Sequence, residues 1–382
     1  MKKVLWLTIL VLVSTLLISG CSTGPETVAP DSSGETGAET SVQGEQIILR
    51  FANYFPGESG PGKIGQEFTD DISRITDGRV KVEYYPGEML LTVDKMYDGV
   101  NEGIADIGFS NINYTFGRFP ITEVLDLPHG YPNAWVGGHV LRDFYKEFAP
   151  DEWGEIHMLT LVSSPVNNII TASTPVRNPD DMRGLILRGG GYIAKLVEAL
   201  GGTARNVTMP QVYDNLAKGV IGGVLNPYET MQTFRFGEVS NYVTEIWPLG
   251  QVYTFYMVMN KKSWEQLPAD IQEIISDYIE NEYAERLSLM FNQIDIDGKQ
   301  YAIDSGFEII EIPEGELSYW KELSDKVIDE YIVKMVGSGH SEEEVRGWIT
   351  FIRDRIDYWS EKQKELGIKS STGPMEVLYQ YD

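Results

Sequence analysis

VYDNLAKGVIGGVLNP, residues 212–227, is echoed by an earlier stretch of the chain, MYDGVNEGIADIGFSN, residues 96–111. Three pairs of identical residues stand 116 positions apart in the two stretches: Tyr97 and Tyr213, Asp98 and Asp214, Gly103 and Gly219. Each stretch predicts a short helix, a glycine that ends it, and a buried apolar strand. Any two helix–strand units share part of this pattern, but the Tyr-Asp pair and the glycine at fixed offsets favour two lobes built on similar sheets.

Strand and helix patterns alternate through the folded part of the chain, which we expect to begin at Ile47. Residues 47–55 and 79–86 read as strands, and residues 61–76 between them read as a helix. Further along, the apolar strand 185–188 leads through glycines into another helix. This alternation predicts an α/β fold with open, largely parallel sheets and helices on both faces.

The composition excludes one class of partner. The chain has 382 residues, of which 42% are hydrophobic, enough for two or three domains with a sizeable core. Its 57 acidic residues outnumber 31 basic ones and give a net charge of −26. A nucleic-acid-binding protein needs a basic surface to meet the phosphates, so we expect no nucleic-acid partner.

The first 46 residues have the features of an export and tethering segment. Residues 1–20 read as a secretory signal peptide, with two lysines before a 15-residue apolar run. The run ends in ISGC, which resembles a bacterial lipobox and makes Cys21 the predicted lipidation site, although an ordinary signal peptide followed by a chance cysteine has the same appearance. Cys21 is the only cysteine, so we expect no disulfide. Residues 21–46 contain no basic and no aromatic residue and are predicted to be a disordered tether.

Candidate ligand-binding residues follow the predicted strands, because ligands of open α/β sheets bind at the carboxyl ends of the strands. Amide and aromatic side chains in such places orient small molecules and stack on them. The predicted ligand-binding residues are Tyr54, Asn111, Tyr114, Asn168, Arg188, Asn226 and Tyr228.

Arg188 is the most informative of these residues. It follows three apolar residues and precedes three glycines. A guanidinium at the end of a buried strand is unfavourable unless an anion pairs with it, and its planar fork suits a carboxylate. The sequence position alone leaves two interpretations open: Arg188 binds a ligand carboxylate, or it pairs with an acid of its own lobe.

Several segments resemble the solute-binding proteins of TRAP transporters, the DctP-type family. The segments are TPVRNPDDMRGLILR, EALGGTARNVTMPQVYDNLAKGVIGGV and VMNKKSWEQLPADIQ, with YYPGEML and GIADIGFSN earlier in the chain. The resemblance implies a two-lobed periplasmic-binding-protein-like fold in which Arg188 pairs with the carboxylate of an organic acid and a residue near Asn226 orients it. It also implies a TRAP membrane permease as partner.

The resemblance further implies the boundaries of the lobes. Residues 47–163 and 252–305 form the first lobe, and residues 164–251 and 306–382 form the second lobe with the C-terminal helices. A hinge joins the lobes, and the long helical pattern after Pro268 corresponds to a helix that spans both.

The chain departs from the family pattern in ways that bear on the ligand. Gly222 stands where the family has an acid, and Asn167 and Asn168 stand where some members carry a second ligand arginine. A dicarboxylate held by two arginines therefore fits less well than a monocarboxylate with an apolar or aromatic body.

No motif favours an enzyme. The four histidines lack zinc-ligand spacing, and no nucleophile elbow or P-loop is present. We therefore predict an extracytoplasmic, lipid-anchored binding protein without cofactor, metal or catalytic residues, which delivers an organic acid to its permease. The alternatives are a ligand-sensing lipoprotein that signals to a membrane receptor and a surface hydrolase.

Overall fold

The computed structural model describes residues 46–377. The predicted signal peptide, Cys21 and the predicted tether up to residue 45 lie outside the described residues. Within 46–377, every helix is too short or too polar to cross a lipid bilayer.

Strands and helices alternate along most of the chain, as the sequence pattern predicts. The regular elements are, in chain order, β1 Ile47–Asn53, α1 Gly60–Ile75, β2 Val80–Tyr85, α2 Met96–Asn101, β3 Ile107–Asn111, α3 Ala134–Phe148, β4 Ile156–Ser163, β5 Asn168–Thr171, β6 Ile186–Arg188, α4 Gly191–Ala199, β7 Thr203–Arg205, α5 Met209–Ala217, β8 Gly223–Asn226, α6 Thr230–Thr233, β9 Tyr242–Glu245, β10 Thr254–Asn260, α7 Lys261–Glu265, α8 Ala269–Tyr278, α9 Ala284–Asp304, β11 Glu308–Glu311, α10 Leu317–Gly337 and α11 Glu342–Leu366.

The strands form two sheets, one in each lobe. The first has the order β2-β1-β3-β10-β4 and the second has the order β11-β9-β5-β8-β6-β7. In the first, β2, β1 and β3 are parallel and β10 runs antiparallel beside β3. In the second, β7, β6 and β8 are parallel and β5 runs antiparallel beside β8. The predicted α/β fold with two similar lobes is confirmed.

Each sheet is mixed, whereas the sequence predicted largely parallel sheets. Strands β5 and β10 are the ones that enter a sheet directly after the chain has crossed from the other lobe. Each begins at the edge of the sheet where its neighbour ends, since Asn168 pairs with Asn226 at the end of β8 and Phe255 pairs with Asn111 at the end of β3. They therefore run in the direction opposite to these neighbours.

The repeated stretches occupy corresponding places in the two lobes. In the first, α2 is followed by Gly103 and then by β3; in the second, α5 is followed by Gly219 and then by β8. Gly103 has φ 78° and Gly219 has φ 67°, a left-handed backbone conformation that favours glycine. Both β3 and β8 lie beside the antiparallel strand of their sheet.

Two chain crossings between the lobes run side by side and form the hinge. The N–H of Ser164 donates to the carbonyl of Tyr253 at 3.0 Å, and the N–H of Asn167 donates to the carbonyl of Gln251 at 2.9 Å. The N–H of Tyr253 also donates to Ser164 Oγ at 2.9 Å. The segment between β4 and β5 is thus paired with the segment that precedes β10.

A long helix spans both lobes, as predicted. It runs from Ala269 to Asp304 through α8, a π-helical turn at Ile279–Tyr283, and α9. On the first lobe, Asn292 Oδ1 accepts from the N–H of Trp135 at 3.0 Å. On the second, Asp295 Oδ1 accepts from the N–H of Glu229 at 2.9 Å.

The C-terminal helices lie on different lobes. Helix α10 packs against α4 of the second lobe, and α11 packs against α3 of the first. Asp143 Oδ2 in α3 accepts hydrogen bonds of 2.7 Å from both Arg355 and Trp359 of α11. The sequence grouped residues 306–382 with the second lobe; β11 joins the second sheet, whereas α11 lies on the first lobe.

The segment after α11 returns to α9. Its Glu376 forms an ion pair of 2.5 Å with Lys299 of α9, and Lys299 also pairs with Glu245 of β9 at 2.6 Å. The Lys299 side chain is almost completely buried. This ionic cluster connects the C-terminal segment, the long helix and the second sheet.

The long helix approaches the backbone of the second lobe closely at Gly298. A Cβ atom at this position would lie 2.4 Å from the carbonyl oxygen of Tyr228 and 2.9 Å from the backbone nitrogen of Glu229. Both neighbours are backbone atoms, so neither can move aside without displacing the segment that follows β8. Glycine is therefore required here because a side chain would collide with the neighbouring backbone, and not because of its backbone freedom.

We predict that Gly298→Ala lowers the free energy of unfolding by about 1–3 kcal/mol, the usual penalty for overpacking a core. The control is Gly347→Ala in exposed α11, where a new Cβ would meet no atom within 4 Å. That change should raise stability by about 0.5–1 kcal/mol, because alanine favours a helix over glycine. Urea denaturation of both variants measures the difference, and equal stability of the two would contradict the close approach at Gly298.

Candidate functional site

A small cavity lies between the lobes, where the carboxyl ends of β1, β3, β6 and β8 converge. The space inside it is about 10 Å³, room for about one water molecule, and far below the roughly 300–1,000 Å³ of most ligand pockets. It is lined by Tyr54, Phe55, Asn111, Ser164, Arg188, Met209, Asn226, Pro227, Glu229, Phe234, Tyr253 and Phe255. In this arrangement of the lobes, the cavity is therefore nearly closed.

Arg188 is held in the cavity wall by uncharged oxygen atoms. Its Nε donates to the carbonyl of Val207 at 3.0 Å, its Nη1 to the Tyr253 hydroxyl at 2.6 Å, and its Nη2 to the Tyr114 hydroxyl at 3.4 Å. The residue is only 2% exposed. Among residues 46–377, no carboxylate forms an ion pair with Arg188, so it does not pair with an acid of its own lobe.

The oxygens around Arg188 come from three parts of the molecule. Arg188 and Val207 belong to the second lobe, Tyr114 to the first, and Tyr253 to the hinge. The Tyr253 hydroxyl also donates to the carbonyl of Leu225 in β8 at 2.9 Å. The guanidinium is therefore oriented by groups whose relative positions depend on how the lobes meet.

The asparagine side chains predicted from the sequence differ in whether they line the cavity and in whether their polar atoms are already hydrogen-bonded. Asn226 lines the cavity, its Oδ1 has no hydrogen-bond partner among the described residues, and its Nδ2 meets only the sulfur of Met209 at 3.9 Å. Asn111 also lines the cavity, but its Oδ1 accepts from the N–H of Asn113 at 3.1 Å. Asn168 lies opposite Asn226 in the β5–β8 pair and does not line the cavity.

Aromatic rings from both lobes form the apolar side of the cavity. Phe55 of the first lobe lies 5.7 Å from Phe234 of the second, between ring centroids, and Tyr54 lies 6.5 Å from Phe234 with nearly parallel rings. Phe255 at the start of β10 lies 5.7 Å from Phe55. An apolar or aromatic ligand body would therefore contact both lobes at once.

Two of the predicted tyrosines stand outside the set that lines the cavity. Tyr114 contributes to it indirectly, through its hydroxyl contact with Arg188. Tyr228 is fully buried on the other side of its segment, where its hydroxyl donates to Glu245 Oε1 at 2.8 Å and Lys299 lies 5.6 Å above its ring. The structure thus gives Tyr228 a place in the ionic cluster behind the cavity wall.

Glu229 is a cavity residue that the sequence analysis did not select. It is 4% exposed, and its Oε2 has no hydrogen-bond partner in the part of the chain that the structure describes. Burial raises the pKa of Glu229 to about 8, although a hydrogen bond from Thr233 opposes the shift. A carboxyl group in this environment is predominantly neutral at pH 7.

The cavity residues that the sequence did not predict fall into two groups. Phe55, Pro227 and Glu229 adjoin residues that the strand-end rule did select, so a wider window would have included them. Ser164, Tyr253 and Phe255 belong to the hinge and to an antiparallel strand, Met209 begins α5, and Phe234 follows the short helix α6. No local pattern places these residues beside Arg188, because their positions depend on how the chain crosses between the lobes.

Charged surface depressions elsewhere differ from this cavity. The depression beside α9 is lined by Lys63, Glu67 and Arg286, and Arg286 already pairs with Glu67 and with Asp71. Within the described residues, no three His, Cys, Asp or Glu side chains are grouped so that they could hold a metal ion. Arg188 thus differs from Arg286 in lacking a carboxylate partner.

A buried carboxyl group supports the hinge next to the cavity. Asp126 Oδ1 accepts from the N–H of Thr254 at 2.8 Å, and Oδ2 accepts from Asn113 Nδ2 at 3.2 Å. Gln251 of the hinge donates to the Asp126 carbonyl at 2.9 Å and to the Tyr192 carbonyl of the second lobe at 3.1 Å. Burial raises the pKa of Asp126 to about 8, against hydrogen bonds from Thr254 that lower it.

Comparisons with known proteins assign the chain to a family. It matches the sequence profile of DctP, described as bacterial extracellular solute-binding protein family 7, over residues 52–334. The C4-dicarboxylate-binding periplasmic protein DctP of Rhodobacter capsulatus is 24% identical over 304 residues, which cover 75% of this chain and 86% of that protein.

Solved structures show the same fold. A TRAP periplasmic solute-binding protein from Desulfovibrio salexigens, crystallised as an open complex, is 30% identical with a TM-score of 0.71 and covers 82% of this chain and 97% of its own. A TRAP solute-binding protein from Rhodoferax ferrireducens, in complex with copurified benzoate, is 26% identical with a TM-score of 0.77. The match covers 83% of this chain and 99% of that protein.

Asp126→Asn should make stability less dependent on pH. An unfolded aspartate titrates near pH 3.9, whereas Asp126 in the folded protein has a pKa of about 8. Asp126 therefore adds most to stability below about pH 4, and this contribution is lost as the pH rises towards 8. The free energy of unfolding of the variant should fall less steeply between about pH 5 and 8, by up to about 1.4 kcal/mol per pH unit. An amide can replace the neutral acid, because its Nδ2 can donate to Asn113 Oδ1 after a flip of the Asn113 amide.

Urea denaturation at several pH values measures this slope. The control is Asp325→Asn, which changes an exposed carboxylate of α10 and should leave the slope as in the wild type. Equal slopes for Asp126→Asn and the wild type would show that the raised pKa does not govern stability.

Proposed function

The chain belongs to the DctP family of bacterial extracellular solute-binding proteins, and from this premise we propose that it binds an organic acid between its two lobes and delivers it to a TRAP-type membrane permease. The family match confirms the resemblance that the sequence motifs indicated. The observation that carries the proposal is the buried Arg188 guanidinium, which uncharged oxygens orient and no carboxylate among residues 46–377 neutralises.

The electrostatics of the cavity favour a carboxylate ligand. A buried cation without a counterion is unfavourable, and an incoming carboxylate would supply the missing charge through two parallel hydrogen bonds. Asn226 lines the same cavity with an unpaired oxygen and a weakly bonded Nδ2. Its Nδ2 is placed to donate a further hydrogen bond to the ligand.

The walls favour a compact, apolar or aromatic ligand body. Tyr54, Phe55, Phe234 and Phe255 supply aromatic surface, and the cavity provides one arginine. A monocarboxylate with a single ring satisfies both features, and the lobes would open to admit it, because the cavity holds only about 10 Å³ in this arrangement. The benzoate that copurified with the Rhodoferax ferrireducens protein is a ligand of this kind.

Binding and lobe closure are coupled through the groups around Arg188. A ligand held by Arg188 of the second lobe would also touch Tyr54 and Phe55 of the first. Contacts that exist only when the lobes meet shift the population towards the closed form. The closed, loaded protein is the form that we propose the permease recognises, and no chemical change of the ligand is required.

The N-terminal segment would keep the protein at the membrane. We propose that residues 1–20 are removed on export, that Cys21 is lipidated, and that residues 22–46 connect the lipid to the folded part. A tether of 25 residues in a flexible coil spans roughly 25–30 Å. The folded part would therefore remain close to the permease while it binds and releases ligand.

Arg188→Ala should weaken binding of a carboxylate ligand by at least about a hundredfold, because it removes the charged partner of a buried ion pair. Isothermal titration calorimetry with the organic acid that gives the largest thermal shift in a panel including benzoate measures the loss. The fold should survive, since the variant removes a buried charge that has no counterion.

The matched control is Arg205→Ala. Arg205 lies opposite Arg188 in the β6–β7 pair but is exposed. Its removal should leave affinity within about twofold. If Arg188→Ala bound the same acid as tightly as the wild type, the proposed function of this cavity would be rejected.

Cys21→Ser should abolish lipid attachment, because Cys21 is the only thiol of the chain. Metabolic labelling with a fatty-acid analogue in a bacterial host should label the wild type and a Ser22→Ala control, but not Cys21→Ser. A wild-type protein that carries no label and begins at another residue would overturn the tether proposal without affecting the binding site.

A further inference from the structure

We propose that Glu229 is a specificity residue that donates a hydrogen bond to a hydroxyl or carbonyl oxygen on the body of the ligand, away from the carboxylate that Arg188 binds. The inference rests on the proposed function, because it concerns the same cavity and the same ligand. It adds a substrate class: acids that carry a second polar oxygen, such as hydroxylated aromatic acids.

The first observation is the position of Glu229. Glu229 is one of the residues that line the cavity, as Arg188 is. Burial raises the pKa of the Tyr54 hydroxyl, and Tyr114, Glu229 and Arg188 also act on it, so Glu229 and Arg188 are both within electrostatic reach of one hydroxyl group. The two residues nevertheless form no ion pair with each other. A ligand that occupied this cavity would therefore lie against both residues.

The second observation is the rigidity of the Glu229 backbone. Its N–H donates to Asp295 Oδ1 of α9 at 2.9 Å. The close contact at Gly298 presses α9 against the carbonyl of Tyr228 and the nitrogen of Glu229. A hydrogen-bonding group discriminates between ligands only when it is held in place, and the long helix holds this one.

The third observation is the unused hydrogen-bonding capacity of the carboxyl group. Thr233 bonds to the Glu229 side chain, but Oε2 is buried and has no partner among residues 46–377. No cation of the described residues pairs with it. Burying an unpaired negative charge is unfavourable, so the group is held as a neutral acid, which agrees with the upward shift of its pKa to about 8.

A neutral carboxyl group is both a donor and an acceptor. It can donate its proton to a ligand oxygen and accept from a ligand hydroxyl through its second oxygen. A ligand without such a group would leave a buried polar atom unpaired, and sites built to bond a hydroxyl discriminate strongly against analogues that lack it. We expect a preference of about tenfold to a hundredfold for the correctly placed hydroxyl group.

The test compares ligands that differ in a single hydroxyl group. Calorimetry on the purified chain measures dissociation constants for benzoate against 2-, 3- and 4-hydroxybenzoate, and for butyrate against 3-hydroxybutyrate. The proteins are the wild type, Glu229→Gln, Glu229→Met and Arg188→Ala. Glu229→Gln keeps a donor and an acceptor in the same shape, whereas Glu229→Met keeps the volume and loses both.

The expected result is that at least one hydroxylated acid binds the wild type about tenfold or more tightly than its parent. Glu229→Gln should retain a preference of at least about fivefold, and Glu229→Met should reduce it to within about threefold of unity. Thermal unfolding of each variant confirms that it is folded. Should Glu229→Met not fold, Glu229→Ala, which also removes the donor and the acceptor, replaces it with the same expected loss of preference.

The outcomes distinguish a failure of the proposed role of Glu229 from a failure of the proposed function. Equal binding of parent and hydroxylated acids by the wild type, with binding still lost in Arg188→Ala, would overturn the role of Glu229 alone. A preference that disappears in Glu229→Gln would show that an ionised carboxylate is needed, which contradicts the neutral donor. Absence of binding for every acid, or undiminished binding by Arg188→Ala, would overturn the proposed function and this inference with it.

Discussion

A positive charge that is buried without a negative partner among residues 46–377 is the constraint on which the centre of this molecule depends. Arg188 lies at the end of β6, almost sealed from solvent, and three oxygen atoms without formal charge surround it. These oxygens orient the guanidinium but do not neutralise it. We therefore propose that a carboxylate from outside the chain completes this position.

The architecture connects this position to both lobes. The parallel strands of both sheets direct their carboxyl ends towards the same space, the two crossings of the hinge are hydrogen-bonded to each other, and the long helix contacts both lobes. Tyr253 joins these features, because it belongs to the hinge and bonds both to Arg188 and to the carbonyl of Leu225. A change in the hinge is consequently a change in the surroundings of the guanidinium.

Much of the fold could be predicted from the sequence, and less of the site. The repeated helix, glycine and strand predicted two related lobes because backbone conformation and apolar periodicity are local properties. The strand-end rule located Tyr54, Asn111, Arg188 and Asn226 for the same reason. It could not locate Phe234 or Tyr253, whose neighbours are distant in sequence, and it could not foresee that Tyr228 turns towards Glu245. The direction of a side chain after a strand is decided by tertiary partners.

The ion pair between Lys299 and Glu376 gives the end of the chain a role in the interior. Glu376 lies 77 positions after Lys299, and the C-terminal segment reaches the long helix directly behind the wall formed by Tyr228 and Glu229. Truncation before Glu376 would remove one of the carboxylates that neutralise a buried ammonium group. An affinity tag on the C-terminal side should accordingly be separated from Glu376 by a spacer. The ion pair behind the cavity wall then stays intact while ligand binding is measured.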